Sequence, residues 1–203
     1  MGRYTGPKNK LSRREGFDLF GNGGESLERR IGQPPGMHGR DMRRRRQRQG
    51  DYDRQLREKQ KIKRFYGLRE RQFRRFLHLA QRAPDLTGSA LLKLLERRLD
   101  NVVFRLGWAH TRPQARQLVS HGHILVDGDR VNIPSYLLSP NQTLALKPKA
   151  RRMPDIQELL DAPPIAPDWL ERDGAEGRVL RAPEREEIAE PFEEQLVVEF
   201  YSR

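Results

Sequence analysis

The 203-residue chain contains no cysteine. That excludes a disulfide framework and any thiolate-ligated metal site. Aromatic residues supply only 7% and hydrophobic residues 35% of the sequence, so a good share of it lies outside any core. No apolar run approaches the roughly 20 residues of a membrane-spanning helix, and the opening MGRYTGPKNK has no hydrophobic signal segment. These absences predict a soluble intracellular protein. Neither a Ser/His/Asp arrangement nor a glycine-rich phosphate loop is present. Acidic residues are also scarce, 28 against 40 Lys and Arg, for a net charge of +12. A chain of this length supports one large or two small domains. Its basic balance predicts a polyanionic partner, nucleic acid first.

The positive charge is concentrated. Residues 40–75 carry a net +11, nearly the charge of the whole chain, whereas residues 151–203 carry −7. A solvated face would mix signs, so the two regions should meet different partners. Within the basic block arginine outnumbers lysine from Arg43 to Arg48, which suits bidentate phosphate contacts.

Residues 97–131, RRLDNVVFRLGWAHTRPQARQLVSHGHILVDGDRV, read as a helix, a second helix and a hairpin. Leu99, Val102, Val103 and Leu106 make one apolar helical face, and Gly107 closes that helix. Thr111 opens the next helix with Gln114 at capping-box spacing and Pro113 in the first turn. Ala115, Leu118 and Val119 form its buried stripe, flanked by Arg112 and Arg116 one turn apart. After Gly122 the period changes from 3.6 to 2 through Ile124 and Val126, and Asp127-Gly128 is a hairpin turn signal. The unit thus presents two arginines, His121 and His123 around one edge.

Residues 1–42 hold nine of the seventeen glycines and the pair Pro34-Pro35, without apolar periodicity. They predict an extended arm that cannot pack a core alone. Helices are expected over about 51–66, stopped by Gly67, and over about 69–83, ended by Pro84. A leucine-rich stretch with Leu91, Leu92, Leu94 and Leu95 then runs toward the 97–131 unit, as one helix or two. Thr143–Leu146 predicts a strand, Lys147–Arg152 a basic turn, and 154–161 a short helix. APPIAP at 162–167 is a stiff extended linker. Trp169-Leu170 and Val179-Leu180 flank DGAEG as another hairpin, packed onto the first sheet. A final helix from Glu193 to Tyr201 is too short to be stable alone and should pack back onto the helical region.

The order R-L-D, R-x-G, R-x-x-A-R-x-x-V-x-x-G, then a strand ending D-G, resembles the RNA-binding module of the small-subunit ribosomal protein four family. KQKIKRFYGLRERQFRRF at 59–76, the opening MGRYTGPK and the ending EQLVVEFYSR extend the resemblance from end to end. Thr111, Pro113 and Asp127 are departures that remove no charge-bearing position. Many members carry a zinc-binding cysteine cluster near the N-terminus. Its opening C-x-x-C falls here on Asn9 and Ser12, and His38 alone cannot replace four ligands, so no zinc or other cofactor is expected.

The resemblance implies an α+β fold, bacterial or plastid in type. It would comprise an extended basic arm (1–42), a helical domain (43–96, with 192–203 packing back) and the RNA-binding helix-helix-hairpin module with a small antiparallel sheet (97–191). It implies early binding to a junction in the 5′ domain of 16S rRNA. It also implies a place beside small-subunit proteins five and three and the channel through which mRNA enters. The compartment would be the cytoplasmic ribosome, or the chloroplast stroma if plastid-encoded.

Candidate RNA contacts are Arg3, Tyr4, Lys8, Lys10, Arg13 and Arg14 in the arm, then Arg40, Arg43, Arg44, Arg45, Arg46 and Arg48. They continue with Arg54, Lys59, Lys61, Lys63, Arg64, Arg69 and Arg71, and with Arg112, Arg116, His121 and His123 in the module. Such contacts position phosphates, while specificity should come from junction shape, because the narrow major groove of A-form RNA denies base-edge access. Glu184, Glu186, Glu187, Glu190, Glu193 and Glu194 are candidates for a basic protein neighbour, which the resemblance makes protein five.

Arg98-Leu99-Asp100 superficially matches the R-L-D of pseudouridine synthases, whose Asp is the nucleophile and several of which carry the same module. Here Asp100 lies inside the module's own helix and no separate catalytic domain fits, so a surface or capping role is expected. A DNA-binding protein with a basic helix in the major groove lacks dimerisation heptads. His121-x-His123 offers two metal ligands without a third. No enzyme activity is expected.

Overall fold

A computed structural model describes residues 4–21, 23–37 and 50–202. The chain divides into two units, residues 1–88 with 191–203, and residues 89–190. The first division therefore falls eight residues before the expected 96/97 boundary.

In the first unit, Lys8–Glu15 (α1) and Gly24–Glu28 (α2) are helical, so the arm is not extended throughout. Leu19 and Leu27 of this segment are almost fully buried. Ser12 is buried as well, and its Oγ accepts a hydrogen bond from the Leu19 amide at 3.3 Å. Asp18 accepts from the amides of Phe20 and Gly23, at 3.1 and 3.2 Å. Glu15 binds Arg57 and Arg64, tying α1 to Asp51–Phe65 (α3). The tight turn at Gly67, with φ +63°, separates α3 from Glu70–Ala80 (α4). Phe73, Phe76, Leu77 and Ala80 form the buried line of α4. Glu194–Tyr201 (α10 in chain order) packs on α3, with Val197 fully buried and Tyr52 stacked on Phe200 at 5.6 Å.

The leucine-rich stretch is two helices, Thr87–Glu96 (α5) and Leu99–Arg105 (α6). Arg98 between them is extended, with ψ 138°, and bridges to Leu137. The Leu138 amide donates to the Arg97 carbonyl at 3.0 Å. This distant pairing breaks the helix where local periodicity has no break. Gly107, at φ +71°, then ends α6. Arg112–Ser120 (α7) follows, its Thr111 Oγ1 accepting from the Gln114 amide at 3.3 Å. The Gln114 side chain reaches one residue further back than a capping box requires, accepting from the His110 amide at 2.8 Å.

The sheet consists of Ile124–Val126 (β1), Asp129–Arg130 (β2), Thr143–Leu146 (β3), Leu170–Asp173 (β4) and Glu176–Val179 (β5). Its order is β2-β1-β3-β5-β4, antiparallel throughout. The second hairpin thus extends the first sheet edge to edge rather than packing onto it: Thr143 pairs with Arg178 and Leu144 with Gly177. Ile124 opposes Leu146 and Val126 opposes Leu144, and alternation turns all four into the core with Val103, Leu106 and Trp108. Asp127 and Gly128, at φ +52° and +89°, make the turn expected of that dipeptide. Between β3 and β4 lie Pro148–Arg151 (α8), where a basic turn was expected, and Pro154–Asp161 (α9).

Candidate nucleic-acid interface

Of the arginines and lysines singled out from sequence, several point inward. Arg98 is buried, and its Nε and Nη2 donate to the two carboxylate oxygens of Asp100 at 3.0 and 2.6 Å. Arg116 Nη1 donates to the same Oδ2 at 2.8 Å. Arg112 Nε donates to Asn101 Oδ1 at 2.9 Å, and its guanidinium lies 4.3 Å from the Phe104 ring centroid. Arg105 is bound by Glu96 and Glu190, both at 2.9 Å. Burial opposes the Arg105 charge, but the two carboxylates outweigh it and raise its pKa. Asn101 closes the network by donating to Glu96 Oε2 at 2.7 Å.

Asp100 is therefore not the surface or capping residue expected. It is 6% exposed, with both oxygens occupied by arginines. A nucleophilic carboxylate needs an accessible oxygen, and this one serves to hold two guanidinium groups, which removes the basis of the pseudouridine synthase reading. Charged groups so far from water persist only when paired and hydrogen-bonded. Arg112 and Arg116 are accordingly paired within the module.

The first unit shows the same sorting. Lys59 is buried, with Nζ 3.2 Å from Glu70 and 4.5 Å from the Phe200 ring centroid; burial lowers its pKa. Lys63 donates to Glu70 at 2.8 Å, Lys61 to the Pro191 carbonyl at 2.6 Å, and Arg64 to Glu15. Arg13 donates to the carbonyls of Gln33 and Pro34, and Lys8 sits over the Phe20 ring. Tyr4, Lys10, Arg14, Arg54, Arg69, Arg71 and His121 are exposed. Arg3, Arg40, Arg43, Arg44, Arg45, Arg46 and Arg48 lie outside the described residues, as does His38.

Around the hairpin the structure brings together groups that the sequence left unassigned. His121 and His123 have ring centroids 6.1 Å apart. Partial burial, then the positive neighbours His121, Lys149, Lys147 and Arg130, lower the pKa of His123. Arg130 lies across Gly122, where a Cβ would stand 2.7 Å from the guanidinium carbon. The run of basic residues from Lys147 was the available signal, but only the β1–β3 pairing places it beside the histidines. Among the described residues no group of three His, Asp or Glu side chains is arranged to hold a metal ion, and no helix is long and apolar enough to cross a membrane.

The six candidate acidic residues differ in their surroundings. Glu190 is taken up by Arg105 and lies 3.6 Å from Arg112; Glu187 is bound by Arg181 at 2.6 Å. Glu184, Glu186 and Glu193 are exposed and Glu194 is half-buried. Glu193 and Glu194 also belong to the other unit.

Comparison with known proteins decides the family. Residues 3–96 match the family described as ribosomal protein S4/S9 N-terminal domain, and residues 97–144 match the S4 domain. The chain is 50% identical over 210 residues to small ribosomal subunit protein uS4 of Thermoanaerobacter sp. (strain X514), with both chains covered completely. It is 51% identical over 213 residues to the same protein of Herpetosiphon aurantiacus, and 50% over 205 residues to that of Geobacillus stearothermophilus, again over the full lengths. The chain belongs to the uS4 family.

Set against the uS4 domain division, the Arg98–Asp100 pair opens the S4 domain, whose match begins at Arg97. The network built on it therefore orients the first two helices of the domain associated with RNA binding. The S4 match ends at Leu144, so β4 and β5 lie beyond it.

Proposed function

We propose that this uS4 chain is a structural, non-enzymatic component of the small ribosomal subunit. It binds 16S rRNA early at a 5′-domain junction and helps nucleate assembly of the subunit body. The observation that carries this reading is full-length identity of about half to chains named small ribosomal subunit protein uS4. A net charge of +12, with exposed Lys10, Arg14, Arg54, Arg69, Arg71 and His121, supports it. Arg112 and Arg116 contribute by fixing the geometry of α6 against α7, and Arg130, Lys147 and Lys149 join the histidines at the hairpin. The exposed members of the acidic quarter, Glu184 and Glu186 foremost, face a basic neighbour. By resemblance that neighbour is small-subunit protein five, through which the chain influences translational accuracy. Small-subunit protein three and mRNA near its point of entry complete the surroundings, within a bacterial ribosome or a chloroplast one.

Footprinting of 16S rRNA by the purified chain tests the reading. Protection should converge on one multi-helix junction of the 5′ domain. Affinity should fall with salt at about 0.9 log units per log unit of salt for each duplex phosphate neutralised, or about 0.7 in single strands. Scattered protection, or a salt slope near zero, overturns it.

A further inference from the structure

The outer face of α4 carries a row of cations that nothing above explains. At 100° per residue, Arg71, Arg75 and His78 project within about 60° of one another, and Arg82 follows in the turn just past the helix end. That row is diametrically opposite Phe73, Phe76, Leu77 and Ala80, the line α4 buries. All four of the row are exposed. Arg71, Arg75 and Arg82 make no side-chain hydrogen bond or ion pair among the described residues, and His78 touches only Gln81, at 3.1 Å.

The sole carboxylate of α4 does not compensate them. Glu70 is occupied by Lys63 at 2.8 Å, Lys59 at 3.2 Å and the Tyr201 hydroxyl at 2.5 Å. Arg74, 3.7 Å from Glu70, borders the row. A solvated helix face ordinarily alternates signs through i,i+4 pairs; this one carries a single sign over three turns. Leu79, 38% exposed, flanks the row one turn after Arg75 and offers an apolar surface beside it.

We propose that the α4 face formed by Arg71, Arg75 and His78, continued by Arg82 in the turn that follows, is a phosphate-binding track for the sugar–phosphate backbone of rRNA, engaged without base readout. This rests on the rRNA-binding reading above and extends it to a helix face beyond Arg71. Phosphate contacts of this kind fix orientation and carry no sequence information.

The test compares the full chain with Arg75→Ala/Arg82→Ala for binding to the 16S rRNA 5′ domain across a potassium chloride series. Arg152→Ala/Arg178→Ala, two exposed arginines with the same loss of charge, is the control. The α4 variant should bind about tenfold more weakly, and its log–log salt slope should be shallower by about 1.4–1.8, two contacts' worth. The control should match wild type. Because the replaced side chains are exposed, circular dichroism should be unchanged; Arg75→Gln/Arg82→Gln serves as the second variant if the alanines disturb folding. Wild-type affinity and slope in the α4 variant overturn the track while leaving the parent reading intact. Absence of specific wild-type binding overturns the parent reading instead. Unchanged rRNA binding with poor incorporation into subunits makes the face a protein contact, and that too overturns the track.

Discussion

Arg116 and Asp100 stand 2.8 Å apart and join the second helix of the S4 domain to the first. The contact redirects the reading of both residues: the carboxylate is a fastener, and the arginine is held rather than offered. Asp100 also neutralises Arg98, whose side chain is 1% exposed.

Asp100→Ala should therefore destabilise the chain by roughly 3–5 kcal/mol, the cost of leaving a buried charge uncompensated. Denaturant unfolding measures it. Asp100→Asn should cost less, because the amide oxygen still accepts one guanidinium. Uridines of 16S rRNA incubated with wild-type protein should stay unmodified; pseudouridine formation that disappears in the Asn variant would restore the enzyme reading.

Glu70 supplies a pH dependence. Burial pushes its pKa up, but hydrogen bonds from Lys63, Tyr201 and Lys59 outweigh that and bring it down from 4.5 to about 2. A pKa lower in the folded than in the unfolded state means stability is fully present above pH 4.5 and lost as pH falls toward 2. Tyr201 belongs to α10, so that helix should loosen from α3 within this window, read by the Val197 methyl resonances in NMR. Glu70→Gln should abolish the dependence and leave α10 loosened at neutral pH.

Gly107 combines a positive φ with a close neighbour. A Cβ there would meet Cγ of Pro164 and stand 2.7 Å from its Cδ, and a proline ring cannot swing aside. Gly107→Ala should cost roughly 2–4 kcal/mol from strain and overpacking together. Gly174→Ala, also at positive φ but with nothing within 4 Å of a Cβ, should cost only about 1–2 kcal/mol. Equal losses in chemical denaturation would contradict this account.

In the acidic quarter not every carboxylate can be reversed without structural cost. Glu187 is bound to Arg181, with its pKa lowered chiefly by that hydrogen bond, so reversing it would disturb the fold locally. Glu184→Lys with Glu186→Lys alters two exposed carboxylates instead. That pair should leave rRNA affinity nearly unchanged and raise misreading. Wild-type misreading levels would make this stretch a solubilising surface only.

What the sequence disclosed follows the range of the interactions. The Thr111 cap, the Gly107 and Gly122 terminations and the Asp127-Gly128 turn are set by residues a few positions apart, and each stands where the pattern put it. The break between α5 and α6 depends on Leu137 and Leu138, some 40 residues away, and periodicity could not find it. The arm's helices escaped notice because its buried contacts are few and its glycines many. At the candidate site, composition identified a basic protein, but a one-dimensional reading cannot tell a guanidinium facing solvent from one facing a carboxylate. Arg112, Arg116, Lys59 and Arg64 all have a carboxylate beside them.

The helical unit is assembled from residues 1–88 and 191–203, while residues 89–190 form one uninterrupted unit between them. On a chain emerging from a ribosome, the interrupted unit must wait: α3 and α4 are made early, but the helix carrying Val197 and Tyr201 arrives about a hundred residues later. Residues 89–190, in contrast, hold their own partners in one continuous run that ends with Glu190 on Arg105. Domains ordinarily mature in order from the N-terminus; here the later-made one can finish first. Until α10 arrives, Lys59 lacks the Phe200 ring and Glu70 lacks the Tyr201 hydroxyl. Synthesis thus passes through a long stage in which the basic helical unit is still open along α3.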